Sequence, residues 1–357
     1  MTVVGVVGRF HLLAAEGLGM EHQVALNFED GVTRFISTRA GETVADASYR
    51  QGINIPMDCR DGVCGTCRCF VEAGSFESGD YLEDAMTAEE AAQGYGLACQ
   101  MRAGSDLVLR IAAGSDVCKT KPGSHAGTVE GVERLSETTL ALTVALAGPV
   151  AFLPGQYVNI EVPGSVQRRS YSFASVPGAD RAVFLVRNIP GGLMTTFLVE
   201  QAVAGVALRF TGPVGSFYLR EVKRPVLMLA GGTGLAPFLS MLERIAAVGT
   251  GYPLHLVYGV TRDVDLVETS RLDALMARIP GFSWAACVAD AGSVQPLKGY
   301  VTDHMDPAVL HGGDVDVYVC GPPAMVDAVR GHFAALGVVP ASFYFEKFSP
   351  SGVAAAA

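Results

Sequence analysis

The sequence predicts a multidomain chain of mixed α+β and α/β class: a small sheet-and-helix domain, an antiparallel β-barrel, and an open parallel sheet wound with helices. Three observations predict it. Four of the eight cysteines fall within eleven residues, "CRDGVCGTCRC" from Cys59, among strand-like segments. A run of short alternating strands separated by turn residues follows. A glycine-rich turn then opens a repeated strand–helix alternation.

Bulk properties set the frame. At 357 residues the chain is too long for one ordinary core and suits two or three domains. Half of it is apolar (50%), enough for sizeable cores. The net charge of -10 is uneven: residues 21–119 hold 16 acids against 8 bases, and the rest from Thr120 holds 19 against 17. An acidic first third argues against nucleic acid as a ligand. It suits docking to a basic protein surface, or it is a solvated acidic face. No apolar run reaches the ~18 residues that span a membrane. The first residues lack the positive cluster of a signal peptide, so a cytoplasmic protein is expected. Met20 opens "MEHQVALNFEDG", which reads like a natural start. Residues 1–20 are therefore expected to be a disordered extension or, up to Gly19, an upstream mis-start.

The crowded cysteines come next. A disulfide framework does not suit a long chain without an export signal. Zinc stays open, because Cys64 and Cys67 form C-x2-C. The full spacing is C-x4-C-x2-C through Cys59, Cys64 and Cys67, then Cys99 after 31 residues, which is the [2Fe–2S] spacing. Gly62 and Gly65 allow the sharp turns that aim bare N–H groups at sulfur. Cys69 falls outside the pattern and reads as a small buried hydrophobe. "HQVALNF", "GVTRFIS" and "DLVLRIA" alternate like strands, "TVADASYRQG" reads as a helix, and "EDAMTAEEAAQGY" as a short acidic helix before "LACQ". This stretch resembles a plant-type ferredoxin (β-grasp) domain, a twisted sheet with one main helix. Val63 departs from the polar residues common at its place in that loop.

Polarity and Pro/Gly content rise around "KTKPGSHAG", so residues 119–126 are read as a linker. Strand-like runs follow: "AGTVEGVERLS", "TTLALTVAL", "GQYVNIEVPG", "RSYSFAS", "AVFLVRNI" and "VALRFTGP". They suggest an antiparallel barrel. Within it, "RSYS" puts Arg169 and Tyr171 on one face and Ser170 and Ser172 on the other. Alone it reads as an ordinary edge strand. "PGGLMTTF" adds a glycine turn opening a helix, where phosphates bind. The pair resembles the R-x-Y-S and G-x-x-[ST] signatures of the ferredoxin–NADP reductase superfamily. The resemblance implies FAD (or FMN). Arg169 and the Gly192–Met194–Thr195 turn would hold its pyrophosphate, Tyr171 would pack on the ring system, and Ser172 would approach N5.

"RPVLMLAGGTGLAPFLSMLERIAAVG" runs an apolar strand into Gly231, Gly232, Thr233 and Gly234, then a helix with Pro237 in its first turn. Such a turn lets dinucleotide phosphates meet bare N–H groups. "CGPPAM" ends a later strand. It resembles the C-G-P-x-x-M motif of the same superfamily, which places Cys320, Gly321 and Pro322 beside the nicotinamide; Cys320 read alone is a buried thiol. Late aromatics in "FYFEKFSPS" often cover the flavin, which points to Phe348, or the segment is a terminal core strand. A 2′-phosphate would want positive charge near "VTRDVDLVE", where Arg262 stands among Asp263, Asp265 and Glu268. NADH is therefore expected.

The expected domains are 21–118 for the cluster, 127–222 for the FAD barrel and 223–357 for the NAD domain. This order resembles the single-chain reductases of bacterial oxygenases. "NIPMDCR", "GYGLACQ", "FTGPVGSFYLR" and "FEKFS" look very like the reductases of benzoate, toluate and anthranilate dioxygenases. The resemblance implies an NADH:acceptor oxidoreductase. Ser172, Cys320 and Phe348 would act at its hydride-transfer centre, and Cys59, Cys64, Cys67 and Cys99 would ligate iron. Electrons would leave singly for a terminal oxygenase, benzoate 1,2-dioxygenase first, with the acidic stretch Val71–Glu90 helping to dock it. A phenol-type monooxygenase partner, or a non-catalytic redox-sensing module, are the other readings.

Overall fold

In the computed structural model the chain divides into two compact units, Met1–Lys121 and Pro122–Ala357. The structure describes residues 21–119 and 121–348. The expected extension at residues 1–20 lies outside them.

The first unit has the elements β1 (His22–Phe28), β2 (Thr33–Thr38), α1 (Val44–Arg50), β3 (Arg68–Ala73), β4 (Phe76–Ser78), α2 (Ala88–Ala92), β5 (Tyr95–Leu97), β6 (Met101–Ala103) and β7 (Leu107–Ile111). Five strands form one sheet in the order β2-β1-β7-β3-β5, and β4 and β6 pair separately. Alternation does the work: Val24, Leu26 and Phe28 of β1 point into the core while their neighbours face outward. Thr43 caps α1 by accepting the Asp46 N–H, and Val44, Ala45 and Ala47 bury its inner face. Thr87 and Glu90 close a capping box on α2. Between α1 and β3 the chain has no regular element, and that loop carries Cys59, Cys64 and Cys67.

The second unit opens with the barrel strands β8 (Gly123–Arg134), β9 (Thr139–Leu146), β10 (Tyr157–Glu161), β11 (Arg168–Ser172), β12 (Arg181–Arg187), then α3 (Leu193–Glu200) and β13 (Ala207–Val214). Their order is β11-β10-β13-β8-β9-β12, and a Phe173–Phe184 bridge joins its two ends. Phe173 is fully buried and stacks on Phe152 with centroids 3.7 Å apart. Strand β8 begins at Gly123, inside the stretch read as linker. Gly123–Ala126 pair with Arg209–Gly212, and His125 stacks on Phe210 at 5.4 Å.

The remainder mostly alternates strand and helix: β14 (Val226–Gly231), α4 (Ala236–Val248), β15 (Leu254–Val260), α5 (Thr269–Arg278), β16 (Phe282–Val288), β17 (Leu297–Lys298), β18 (Asp316–Gly321), α6 (Pro323–Leu336) and β19 (Ser342–Lys347). The sheet is parallel throughout, ordered β17-β16-β15-β14-β18-β19. Val226–Ala230 of β14 are buried on both faces, as a central parallel strand demands. The winding reverses between β14 and β18. Their C-terminal ends form the switch point at which ligands of open α/β sheets bind. No helix among the described residues is long and apolar enough to cross a membrane.

Candidate functional site

The cysteine loop is shaped by steric need. Gly62 has φ +79° and Gly65 φ +71°, the left-handed region that favours glycine. A Cβ on Gly62 would stand 2.4 Å from the Asp80 carbonyl oxygen, and one on Gly65 2.6 Å from that of Ala85. The loop therefore lies flat on residues 80–85. The Cys64 N–H points at Cys59 Sγ at 3.3 Å, and Gln100 Nε2 stands 3.9 Å from Cys99 Sγ.

The sulfurs meet in pairs. Cys64 and then Cys99 hold Cys59 well below the usual thiol range, and Cys99 lowers Cys67. Their neighbours Cys64 and Cys99 are pushed up in turn, Cys59 being the first cause for both. Thiolate is the form that ligates metal. Among the described residues no three His, Cys, Asp or Glu side chains are arranged to hold a single ion. Four sulfurs in pairwise contact are a donor set that fits a two-iron cluster. Cys69 is 2% exposed and points at the Gly96 carbonyl, away from this group.

In the barrel, Arg169 lies on β11 opposite Ile160. Its guanidinium donates to the Arg168 carbonyl and to Gln167 Oε1, at 2.8 and 2.7 Å. Tyr171 packs against the barrel core, and burial pushes its phenol up. At α3, Gly191 has φ +71° and Gly192 is the N-cap, with no side chain to occupy the first-turn N–H groups. A Cβ on Gly192 would meet the Ile189 carbonyl oxygen at 2.9 Å. The side chains of Met194 and Thr195 are both buried. Thr195 donates to the Ile189 and Gly192 carbonyls at 2.6 and 3.0 Å, so its hydroxyl shapes the turn. The guanidinium charge of Arg169 and the uncapped N–H groups of α3 are both donor chemistry that suits a diphosphate.

The nucleotide end is built on close backbone approach. Ala230 and Cys320 are register partners on β14 and β18. A Cβ on Gly234 would stand 2.3 Å from the Cys320 carbonyl oxygen, and one on Gly231 2.5 Å from Met325 Sδ. Gly232 has φ +55° and nothing within 4 Å of a Cβ, leaving bare backbone exposed beside half-buried Thr233. Gly321 and Pro322 lead into α6 across this gap.

The two halves of the second unit converge at β19. Ser172, 3% exposed, donates to Glu346 Oε2 at 3.0 Å. Glu346 is the register partner of Cys320. Burial first, and the Glu346 charge second, push the fully buried Cys320 thiol far above its ordinary range, so it stays neutral. The Phe348 N–H donates to the Gly321 carbonyl at 2.9 Å, and its half-buried ring packs on the core beneath. Ser172, Cys320 and Phe348, named from sequence, are thus brought together. Glu346, which links the first two, was missed. Its one sequence signal is a lone acid in the aromatic run "FYFEKF".

At the end of β15, Arg262 pairs with Asp265 at 3.3 Å and with Glu137 at 3.6 Å. Thr138 also donates to Asp265, at 2.6 Å. Asp290, at the end of β16, is bonded to Thr261 through its backbone.

Comparison with known proteins agrees with this geometry. Residues 27–104 match the 2Fe-2S iron-sulfur cluster binding domain, 126–218 the oxidoreductase FAD-binding domain, and 228–331 the oxidoreductase NAD-binding domain. The protein is an oxidoreductase that uses NAD, FAD and a [2Fe–2S] cluster. The toluate 1,2-dioxygenase electron transfer component of Pseudomonas putida is 57% identical over 93% of this chain and 100% of its own. The 2-halobenzoate 1,2-dioxygenase component of Burkholderia cepacia is 50% identical over 93% and 99%. The anthranilate 1,2-dioxygenase component of Acinetobacter baylyi is 41% identical over 94% and 99%. Among solved structures, an Amycolatopsis cytochrome P450 reductase superposes with TM-score 0.69 at 32% identity, covering 92% of this chain and 99% of the other. The chain belongs to the family of electron transfer (reductase) components of aromatic-ring dioxygenases.

Proposed function

We propose that this protein carries electrons from NADH, through FAD and a [2Fe–2S] cluster, one at a time, to the terminal oxygenase of a benzoate 1,2-dioxygenase. The observation that carries the reading is the meeting of Ser172, Glu346, Cys320 and Phe348 at the strand ends beside the glycine-rich Gly231–Gly234 turn. The relatives' names point the same way, since toluate, 2-halobenzoate and anthranilate are all ring-substituted benzoates. When bound, FAD supplies hydride acceptance and single-electron release, and the cluster supplies the one-electron relay.

The chain's own residues bind, orient and exclude water. Cys59, Cys64, Cys67 and Cys99 ligate the irons. Arg169 and the α3 N–H groups neutralise the FAD diphosphate, and Tyr171 packs against its rings. Gly231–Gly234 and Gly321–Pro322 admit the dinucleotide, because any side chain at Gly231, Gly234 or Gly321 would collide with its neighbours. Ser172 and the neutral Cys320 thiol flank the place where the rings must meet, and Glu346 fixes the Ser172 hydroxyl. Phe348 covers it. The residues Val71–Glu90, with seven acids and no base, dock the oxygenase.

The test is a coupled assay with NADH and purified benzoate dioxygenase oxygenase component, run at rising salt beside NADH-to-ferricyanide turnover. Dihydroxylated product should form, and salt should slow product formation more than ferricyanide reduction. Better coupling to toluate oxygenase would reassign the partner, and equal slowing by salt would remove the acidic docking face.

A further inference from the structure

We propose that Arg68 and Glu90 form a charge pair that sets the reduction potential of the cluster beside them. The inference rests on the reading that Cys59, Cys64, Cys67 and Cys99 hold that cluster. Arg68 directly follows Cys67 and begins β3. Its guanidinium pairs with the Glu90 carboxylate, and the two side chains are only 17% and 8% exposed. Ion pairs removed from water are weakly screened and reach further than surface pairs.

Both partners are held. The Arg68 guanidinium lies 5.0 Å from the Tyr95 ring centre, Tyr95 packs edge-on against Phe70 at 5.2 Å, and Arg110 covers Phe70 at 4.7 Å. Glu90 accepts the Thr87 N–H at 2.9 Å, which fixes it to the start of α2. Arg68 faces Leu97 across the sheet, and the Ala98 N–H donates to the Cys67 carbonyl at 3.1 Å. The pair therefore covers the seam that joins the third cysteine to the strand leading to the fourth.

An electron added to the cluster feels a positive and a negative charge that nearly cancel. Removing either one changes the charge beside the cluster by one unit in a poorly hydrated place. Glu90→Gln keeps the Thr87 contact through its amide oxygen and should move the potential to more positive values, since the reduced form is relieved of one negative charge. Arg68→Gln should move it to more negative values. The double variant should return close to the wild type, and Arg68→Lys should stay there.

The measurement is a potentiometric titration of each holoprotein, followed by the electron paramagnetic resonance signal of the reduced cluster, with iron content checked. Opposite shifts that cancel in the double variant support the proposal. A loaded Glu90→Gln or Arg68→Gln protein that does not move, or a shift of both in one direction, overturns it and leaves the pair a structural staple. If Arg68→Gln loses its cluster, Glu90→Gln and Arg68→Lys still decide. A wild-type protein without the cluster signal would instead overturn the ligand reading.

Discussion

Ser172 and Glu346 lie 174 residues apart, yet the serine hydroxyl donates to the carboxylate at 3.0 Å and ties the barrel hairpin to the last strand of the parallel sheet. The bond aligns two walls of one cleft, and hydride transfer is steeply sensitive to such alignment. Glu346→Ala should slow flavin bleaching by NADH roughly a hundredfold with flavin retained. Stopped-flow absorbance reads it. Ser172→Ala should have a smaller added effect in the Glu346→Ala background than alone.

Arg169→Ala should loosen FAD. A diphosphate that loses a charge-assisted partner gives up about 1.5–3 kcal/mol, or about ten- to a hundredfold in Kd. Equilibrium dialysis against apoprotein measures it, and unchanged retention would remove Arg169 from the site.

Gly62→Ala should abolish cluster assembly. It adds a methyl group 2.4 Å from the Asp80 carbonyl oxygen at a backbone φ of +79°. Iron and sulfide content of the purified variant should fall to background while flavin absorbance, which belongs to the other unit, stays.

NADH should be preferred to NADPH. The cation nearest the expected 2′-phosphate position, Arg262, is already engaged by Asp265 and Glu137. Steady-state turnover with each dinucleotide gives the ratio, and a clear NADPH preference would reverse the assignment.

Alkali should weaken the fold through its inert thiols. Burial, the first cause in each, pushes Cys118 up to about 12 and Cys287 up to about 11, from an ordinary value of 9.0. Above pH about 9 the unfolded chain releases these protons and the folded chain keeps them, so folding free energy declines with rising pH. The slope approaches ~1.4 kcal/mol per pH unit for each such thiol. Urea midpoints between pH 8 and 11 should fall, and less so in Cys287→Ala.

The legible parts of the sequence were those where chemistry fixes spacing. Cys59, Cys64, Cys67 and Cys99 stand at a cluster-like spacing in the sequence, and the structure brings their sulfurs into pairwise contact. The glycines at Gly231, Gly234 and Gly321 were legible because backbone must touch backbone there. Glu346 stayed hidden because its partner Ser172 comes from a distant strand, and no local pattern records a pairing made by tertiary folding. The start of β8 was masked in a similar way. "GSHA" has the polarity and glycine of a loop, and only pairing with β13 and the stacking of His125 on Phe210 make it a strand. Met194 and Thr195 are expected at the flavin from their motif; both side chains are buried, and the Thr195 hydroxyl bonds the turn's own carbonyls.

Because Glu346 lies on β19, 174 residues after Ser172, a chain still emerging during synthesis has its barrel residues in hand long before the carboxylate exists. An unfinished product could load flavin and yet be poor at taking hydride.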